Sequence, residues 1–277
     1  MRFSTFLPAA ILAATAAVPA MAQETAPPEP ITVSGSASVA SDYRFRGVSQ
    51  SDKNVAVQGG ITIAHESGLY IGTWGSNLAG WGTFGGANLE LDLIAGYKHT
   101  FDTATVDAGV TWYTYPGGAD ETDVVEFYGK LSGTAGPATL TAGVFYAPKQ
   151  TSLGLFTRAL TPTLIPGDGS RQDNIYLSGD AAAGVPNTPV TLKAHIGYSD
   201  GNPGLGPNGT SLAPTGKYWD WSLGADFTYK NLTLGVAYVD TDISDREALY
   251  LTPNFSKTTN GSPIAASTGV VSLTAAF

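Results

Sequence analysis

Over most of its length the chain alternates, residue by residue, between apolar side chains and small or polar ones. Between Asn88 and Lys98, Leu89, Leu91, Leu93, Ala95 and Tyr97 alternate with Glu90, Asp92, Ile94, Gly96 and Lys98. An α-helix turns every 3.6 residues and cannot gather those five apolar positions on one side; a β-strand, with its period of two, does so automatically. From Thr32 to Arg46 the pattern is similar. Val33, Ala37, Val39, Tyr43 and Phe45 share one face, and Thr32, Ser34, Ser36, Ser38, Asp42, Arg44 and Arg46 share the other. After the N-terminal segment no apolar run reaches the roughly 18 residues of a membrane-spanning helix.

Twelve such runs can be marked: 31–46, 54–64, 69–77, 88–98, 104–115, 123–132, 138–147, 174–183, 190–198, 219–229, 232–240 and 268–277. The third is the least regular. Every second link is short (65–68, 99–103, 133–137, 184–189 and 230–231), and most of the others are long, notably 76–87, 148–173, 199–218 and 241–267. An even number of strands joined alternately by short turns and long loops predicts a single antiparallel transmembrane β-barrel of the outer-membrane type over residues 31–277, with both ends at the short-turn rim.

The competing all-β arrangement is a soluble sandwich or a barrel with an apolar core. Two features weigh against it. Aromatic residues gather near strand ends: Tyr43, Phe45, Trp112, Tyr146, Tyr198, Trp221 and Tyr238 near the long-loop rim, facing outward, and Tyr97, Tyr229 and Phe277 near the other. Two such girdles anchor a barrel at the membrane interfaces. The polar face also carries mid-strand charges, which a watery lumen tolerates and a dry core does not.

Composition removes other classes. Charged residues make up only 13% of the chain, against about 25% in ordinary soluble domains. The formal charge of −9 argues against a nucleic-acid partner. With no cysteine there is no disulfide framework, thiolate metal site or cysteine nucleophile. Residues 1–22 read as a secretory signal: a positive start at Met1–Arg2, an apolar stretch from Phe6 to Val18, and Ala20-Met21-Ala22 before a cut at Gln23. Residues 23–30 (QETAPPEP) read as a flexible, Pro-rich lead-in. At the other end, Gly269, Val271, Leu273, Ala275 and Phe277 share a face. A terminal aromatic on an alternating strand resembles the signal read by the outer-membrane assembly machinery.

The stretch Ser41-Asp42-Tyr43-Arg44-Phe45-Arg46-Gly47-Val48-Ser49-Gln50, then Val57-Gln58-Gly59-Gly60, then Gly68-Leu69-Tyr70-Ile71-Gly72-Thr73-Trp74-Gly75-Ser76-Asn77, resembles the opening of the TorF family of porins. The match is strongest over residues 41–77. The resemblance implies a barrel in the bacterial outer membrane, in contact with its lipid, with a porin-like function and no settled substrate.

No catalytic or cofactor site emerges. His65 and His99 fall in short turns and His195 faces inward, so no nucleophile, histidine and orienting group meet, and the chain is read as no enzyme. Asp120, Glu121 and Asp123, and Asp240, Asp242, Asp245 and Glu247, lack the spacing of a calcium loop and read as solvated loop carboxylates. The lumen is the working surface. Its expected lining is Arg44, Arg46, Glu90, Asp92, Lys98, Asp107, Glu126, Lys130, Asp180, Lys193, His195 and Asp226, with Ser, Thr, Gly and Ala between them. The set is nearly balanced in sign. A barrel of this strand number has a backbone radius of roughly 12 Å, which small inward residues leave open. The expectation is a porin-like channel for passive diffusion of small polar solutes. The alternative is a non-conducting structural or adhesive barrel acting through its extracellular loops, its inward charges paired and its pore closed.

Overall fold

The computed structural model describes residues 30–83, 85–154, 158–160, 163–165, 171–201, 212–248 and 255–277. The signal and lead-in expected over 1–30 therefore lie outside the described residues except for Pro30. The barrel strands are β1 (Ile31–Ala40), β2 (Ala56–His65), β3 (Leu69–Asn77), β4 (Leu89–Phe101), β5 (Ala104–Thr114), β6 (Val124–Ala135), β7 (Ala138–Gln150), β8 (Gln172–Gly184), β9 (Val190–Gly201), β10 (Lys217–Tyr229), β11 (Leu232–Thr241) and β12 (Thr268–Ala276). Each pairs antiparallel with its neighbours in sequence, and β1 closes on β12. The result is the twelve-stranded antiparallel barrel that the alternation predicts, and closure gives each of its strands a partner on both sides. At the seam Ser36 faces Ala276, and Gly35 and Phe277 exchange backbone hydrogen bonds of 2.8 and 2.9 Å.

Alternation sorts the side chains. Val39, Val57, Ile61, Leu93, Val144, Ile196, Leu223, Leu234 and Leu273 are among many large apolar residues on the outside, each 44% exposed or more. So broad an apolar surface is far larger than a soluble monomer tolerates. The intervening positions, including Ser38, Gln58, Glu90, Asp92, Glu126, Asn174 and Asp226, point inward and are buried. At the short-turn end the inward face is made of hydroxyls that meet in cross-strand pairs: Thr100 with Thr105 at 2.9 Å, Ser132 with Thr141 at 2.9 Å and Thr228 with Thr233 at 3.1 Å.

Two expectations need correction. The first strand ends at Ala40, not at Arg46. Ser41 still bonds Val271, its amide donating to the Val271 carbonyl and its hydroxyl accepting from the Val271 amide. Beyond it the Asp42 carboxylate gathers the Ser49 and Ser51 hydroxyls and the Arg44 guanidinium at 2.5, 3.1 and 2.7 Å. Such local side-chain bonds compete with the sheet ladder and turn the chain away from it. Tyr43 and Phe45 consequently do not belong to the outer girdle: Tyr43 is buried inside and Phe45 packs against Tyr113. Trp112, Tyr146 and Tyr238 do face outward, all more than 40% exposed. The second correction concerns two histidines expected in turns: His65 is the last residue of β2, and His99 lies within β4, its ring parallel to Tyr97 and edge-on to Phe101.

Candidate functional site: a finger in the lumen

Residues 41–55 form a finger that folds back into the long-loop end of the barrel. Its core is a small hairpin, Arg44–Phe45 against Val48–Ser49. The two residues at its tip, Arg46 and Gly47, both have positive φ (47° and 79°). That is the backbone of a tight hairpin turn of the primed type, which suits glycine at the second place and strains the arginine at the first. A side chain at Gly47 would also come within 2.9 Å of the Asp220 Cβ, so the tip is pressed against the wall at β10 and β11.

From that tip the Arg46 guanidinium reaches across the lumen to Glu126 on β6. Its Nη2 donates to both carboxylate oxygens, at 2.7 and 2.8 Å. The guanidinium carbon lies 4.0 Å from the ring centre of Tyr176, 4.8 Å from that of Phe45 and 5.7 Å from that of Phe145. Tyr113 donates to Glu126 at 3.1 Å, and Tyr218 donates to the Arg46 carbonyl at 3.1 Å. The pair is almost fully buried, with 4% and 1% of the side chains exposed. Elsewhere on the finger, Tyr43 donates to Glu90 on β4 at 3.1 Å and meets Trp74 on β3 edge-on at 5.3 Å. The finger is thus fastened to β3, β4, β6 and β10.

The other long loops close over it. Arg44 donates to the carbonyls of Ile264 and Ala266, and Asp52 accepts from the Thr258 amide at 2.9 Å. Leu78, Trp81, Ile243, Phe255, Ile264 and Ala265 join Tyr43 and Val48 in one apolar cluster, with Trp81 edge-on to Phe255. Burying each large side chain stabilises this lid by about 1.5–3 kcal/mol.

The expected lining residues fall into three groups. Glu90, Asp92 and Glu126 come together beneath the finger, whose tip residue Arg46 bonds Glu126, whereas Arg44 is spent on Asp42 and the lid rather than on the wall. Asp180 and His195 form a second group with Tyr176 and Asp220. Asp180 and Asp220 lie 2.7 and 3.0 Å from the two His195 ring nitrogens, and the Tyr176 hydroxyl is 2.9 Å from Nε2. Towards the short-turn end, Lys98, Asp107 and Lys130 stand at paired positions on β4, β5 and β6, and Lys193 bonds Asp226 at 2.7 Å. Tyr70 donates to Asp107 at 2.6 Å and also meets the Tyr128 hydroxyl. Lys130 lies 4.7 Å above the Tyr128 ring.

The inward aromatics Tyr70, Tyr113, Tyr128, Phe145, Tyr176 and Tyr218 were missed as lining. Their signal was parity: Tyr128 shares a face with Glu126 and Lys130, and Tyr176 with Asp180. The Tyr176 ring can lie over Gly197, diagonally across on β9, because glycine has no Cβ; one there would strike its phenol end. The loop carboxylates serve the backbone: Asp123 accepts from the Tyr115 amide and Asp242 from the Trp219 amide. Glu247 caps the short helix Asp245–Ala248, and hydrogen bonds from Ser244 hold its carboxyl below the usual range.

A closed barrel with a charged, aromatic interior and an inserted finger defines the class of protein. The chain belongs to the family described as "Bacterial protein of unknown function (Gcw_chp)", which matches residues 24–277. No curated protein matches the sequence. Among solved structures, similar chains include an outer membrane channel from Pseudomonas putida F1, at 10% identity over 91% of this chain and 96% of that one, with a TM-score of 0.44. Another is OmpT of Vibrio cholerae, at 10% identity over 92% and 100%, TM-score 0.42. A third is an anion-selective porin from Comamonas acidovorans, at 12% identity over 89% and 99%, TM-score 0.39. At these values no residue's role passes from one chain to another.

Proposed function

We propose that the protein is an outer-membrane channel of Gram-negative bacteria for passive diffusion of small polar solutes, with its extracellular mouth occluded by the finger. The observation that carries this reading is the inversion of the barrel: its apolar side chains are outside and its charged and hydrogen-bonding ones inside. Lipid suits the first surface and water the second. The TorF-like blocks support the same reading. In it, residues 1–22 direct secretion and are removed before Gln23, residues 23–30 lead into the barrel, and Phe277 is the mark recognised by the assembly machinery.

The test is conductance of the refolded chain in planar lipid bilayers. Discrete steps are expected, with a slight cation preference from Glu90 and Asp92, since Glu126 is paired with Arg46. Electrical silence from protein shown by heat-modifiable gel migration to be folded would overturn the channel. It would favour a structural or adhesive barrel, which the packed lid would also suit.

A further inference from the structure

The Arg46 guanidinium sits in a ready-made receptor. Glu126 supplies a carboxylate, Tyr176, Phe45 and Phe145 supply ring faces, and Tyr113 fixes the carboxylate by donating to it. A planar cation between a carboxylate and aromatic faces is the chemistry by which proteins bind guanidinium groups. Four of these five partners, all but Phe45, belong to the barrel wall and not to the finger. The wall also offers more than Arg46 uses. Asp92 is 94% buried, as its relative exposure of 6% implies, and its Oδ1 has no hydrogen-bond partner among the described residues. Glu90 and Glu126 are its charged neighbours. The fit of Arg46 is itself incomplete: one nitrogen holds both Glu126 oxygens, and buried Nη1 has no partner among the described residues. A tethered arginine on a strained turn thus fills the site without saturating it.

We propose that the wall site around Glu126 and Tyr176 binds a small solute bearing a guanidinium group, and that Arg46 occupies it as a tethered stand-in which that solute displaces. This deepens the channel reading and rests on it: the solute that the site selects also loosens the finger. A tethered competitor lowers the apparent affinity for the free one by the fraction of time it occupies the site. Removing Arg46 should therefore unmask the site, and removing Glu126 as well should destroy it. A simple ammonium, lacking the planar fork, should bind less well.

The experiment titrates methylguanidinium chloride into the full mature barrel in lipid nanodiscs, by calorimetry, with methylammonium chloride as the comparison. Arg46→Ala is expected to bind methylguanidinium at least tenfold more tightly than the parent. The double variant Arg46→Ala/Glu126→Gln is expected to lose at least tenfold of that affinity. Arg46→Met, which keeps the aliphatic stem, replaces Arg46→Ala if the latter fails the heat-shift test of folding. Equal affinity in parent and single variant, equal affinity in single and double variants, or methylammonium binding as tightly as methylguanidinium would each overturn the site. Conductance of the same proteins is read separately. Binding with silent bilayers would sink the channel and keep the site, and steps without binding would do the reverse.

Discussion

The two halves of the lumen are built by the same twelve strands with the same alternation, yet they are filled in opposite ways. Towards the short turns most inward positions are hydroxyls, and lysines set against aspartates, that meet neighbours on adjacent strands. Among the described contacts no residue of the finger reaches into that half, and the longest reach there is that of Tyr70 on β3 to Asp107 on β5 and to the Tyr128 hydroxyl on β6. Towards the long loops, the inward positions are large aromatics and carboxylates, and they hold a piece of the chain that crosses from β1 to β6. The wall sets the diameter; what stands inside it decides whether that diameter is available. A narrow passage therefore need not come from a narrow barrel.

Excising the finger should break that contrast most visibly. Replacing residues 42–52 with a short Gly-Ser linker keeps every barrel strand and removes Tyr43 and Arg46 from the lumen. Unitary conductance should rise several-fold, because the constriction lies in the inserted segment. An unchanged conductance step would place the constriction elsewhere.

Arginine substitutions on the two faces and in the two halves come next. Leu93→Arg puts a charge on the exposed outer face in mid-strand, at a cost of about 2–4 kcal/mol to folding in lipid. Ser132→Arg, inward and in the short-turn half, should cost less than about 1 kcal/mol if water fills that half. Asp92→Arg points inward as well, but beneath the finger, where the side chain is buried. It should expel the finger and behave like the excision. Urea unfolding in vesicles measures the first two, and conductance the third. If Asp92→Arg is as mild as Ser132→Arg in both measurements, the halves do not differ as described.

The sequence made half of this comparison legible. Period-two alternation and the spacing of turns gave the strands, since side-chain direction in a strand is a local property. The loss came where local chemistry overrode the pattern. Thr32 to Arg46 reads as one alternating run, but Ser41 and Asp42 break it, and the knot around Asp42 closes through Ser49 and Ser51. Parity counting does not register that closure. The three blocks quoted between residues 41 and 77 are coupled in space as well: Trp74 of the third meets Tyr43 of the first edge-on, beside Gly60 of the second. The pairing of Arg46 with Glu126, eighty residues apart, needs the barrel closed before it has meaning.

Loosening the finger's base is a smaller change than removing the finger. Asp42→Ala deletes the acceptor of Ser49, Ser51 and Arg44 together, and the buried Arg44 loses its carboxylate. Tyr43→Phe deletes only the bond to Glu90, a loss of about 1 kcal/mol. Both should raise the frequency of open events in bilayer recordings, Asp42→Ala more than Tyr43→Phe. The reverse order would mean that the finger is held from its contact with the wall rather than from its base.

The smallest effect is a difference in salt dependence between two ion pairs of similar length. Arg46–Glu126 and Lys193–Asp226 each close to 2.7 Å. The first is buried on both sides between finger and wall; in the second the Asp226 side chain is only 6% exposed, but 24% of the lysine side chain stays open in the short-turn half. Breaking a buried pair by removing one partner costs about 3–5 kcal/mol, because the remaining charge is stranded. A pair open on its lysine side falls between that figure and the roughly 0–1 kcal/mol of a fully exposed pair, and salt screens it further. Lys193→Gln should therefore shift the urea midpoint less than Arg46→Gln does at low ionic strength. Between about 0.05 and 0.5 M salt that shift should shrink, since the Debye length falls from above 10 Å to under 5 Å. The shift from Arg46→Gln should be larger and should hardly change over the same range. Equal salt dependence in the two variants would mean that solution reaches Glu126 as freely as Asp226. The long-loop half would then be as wet as the other, and the finger would be no seal.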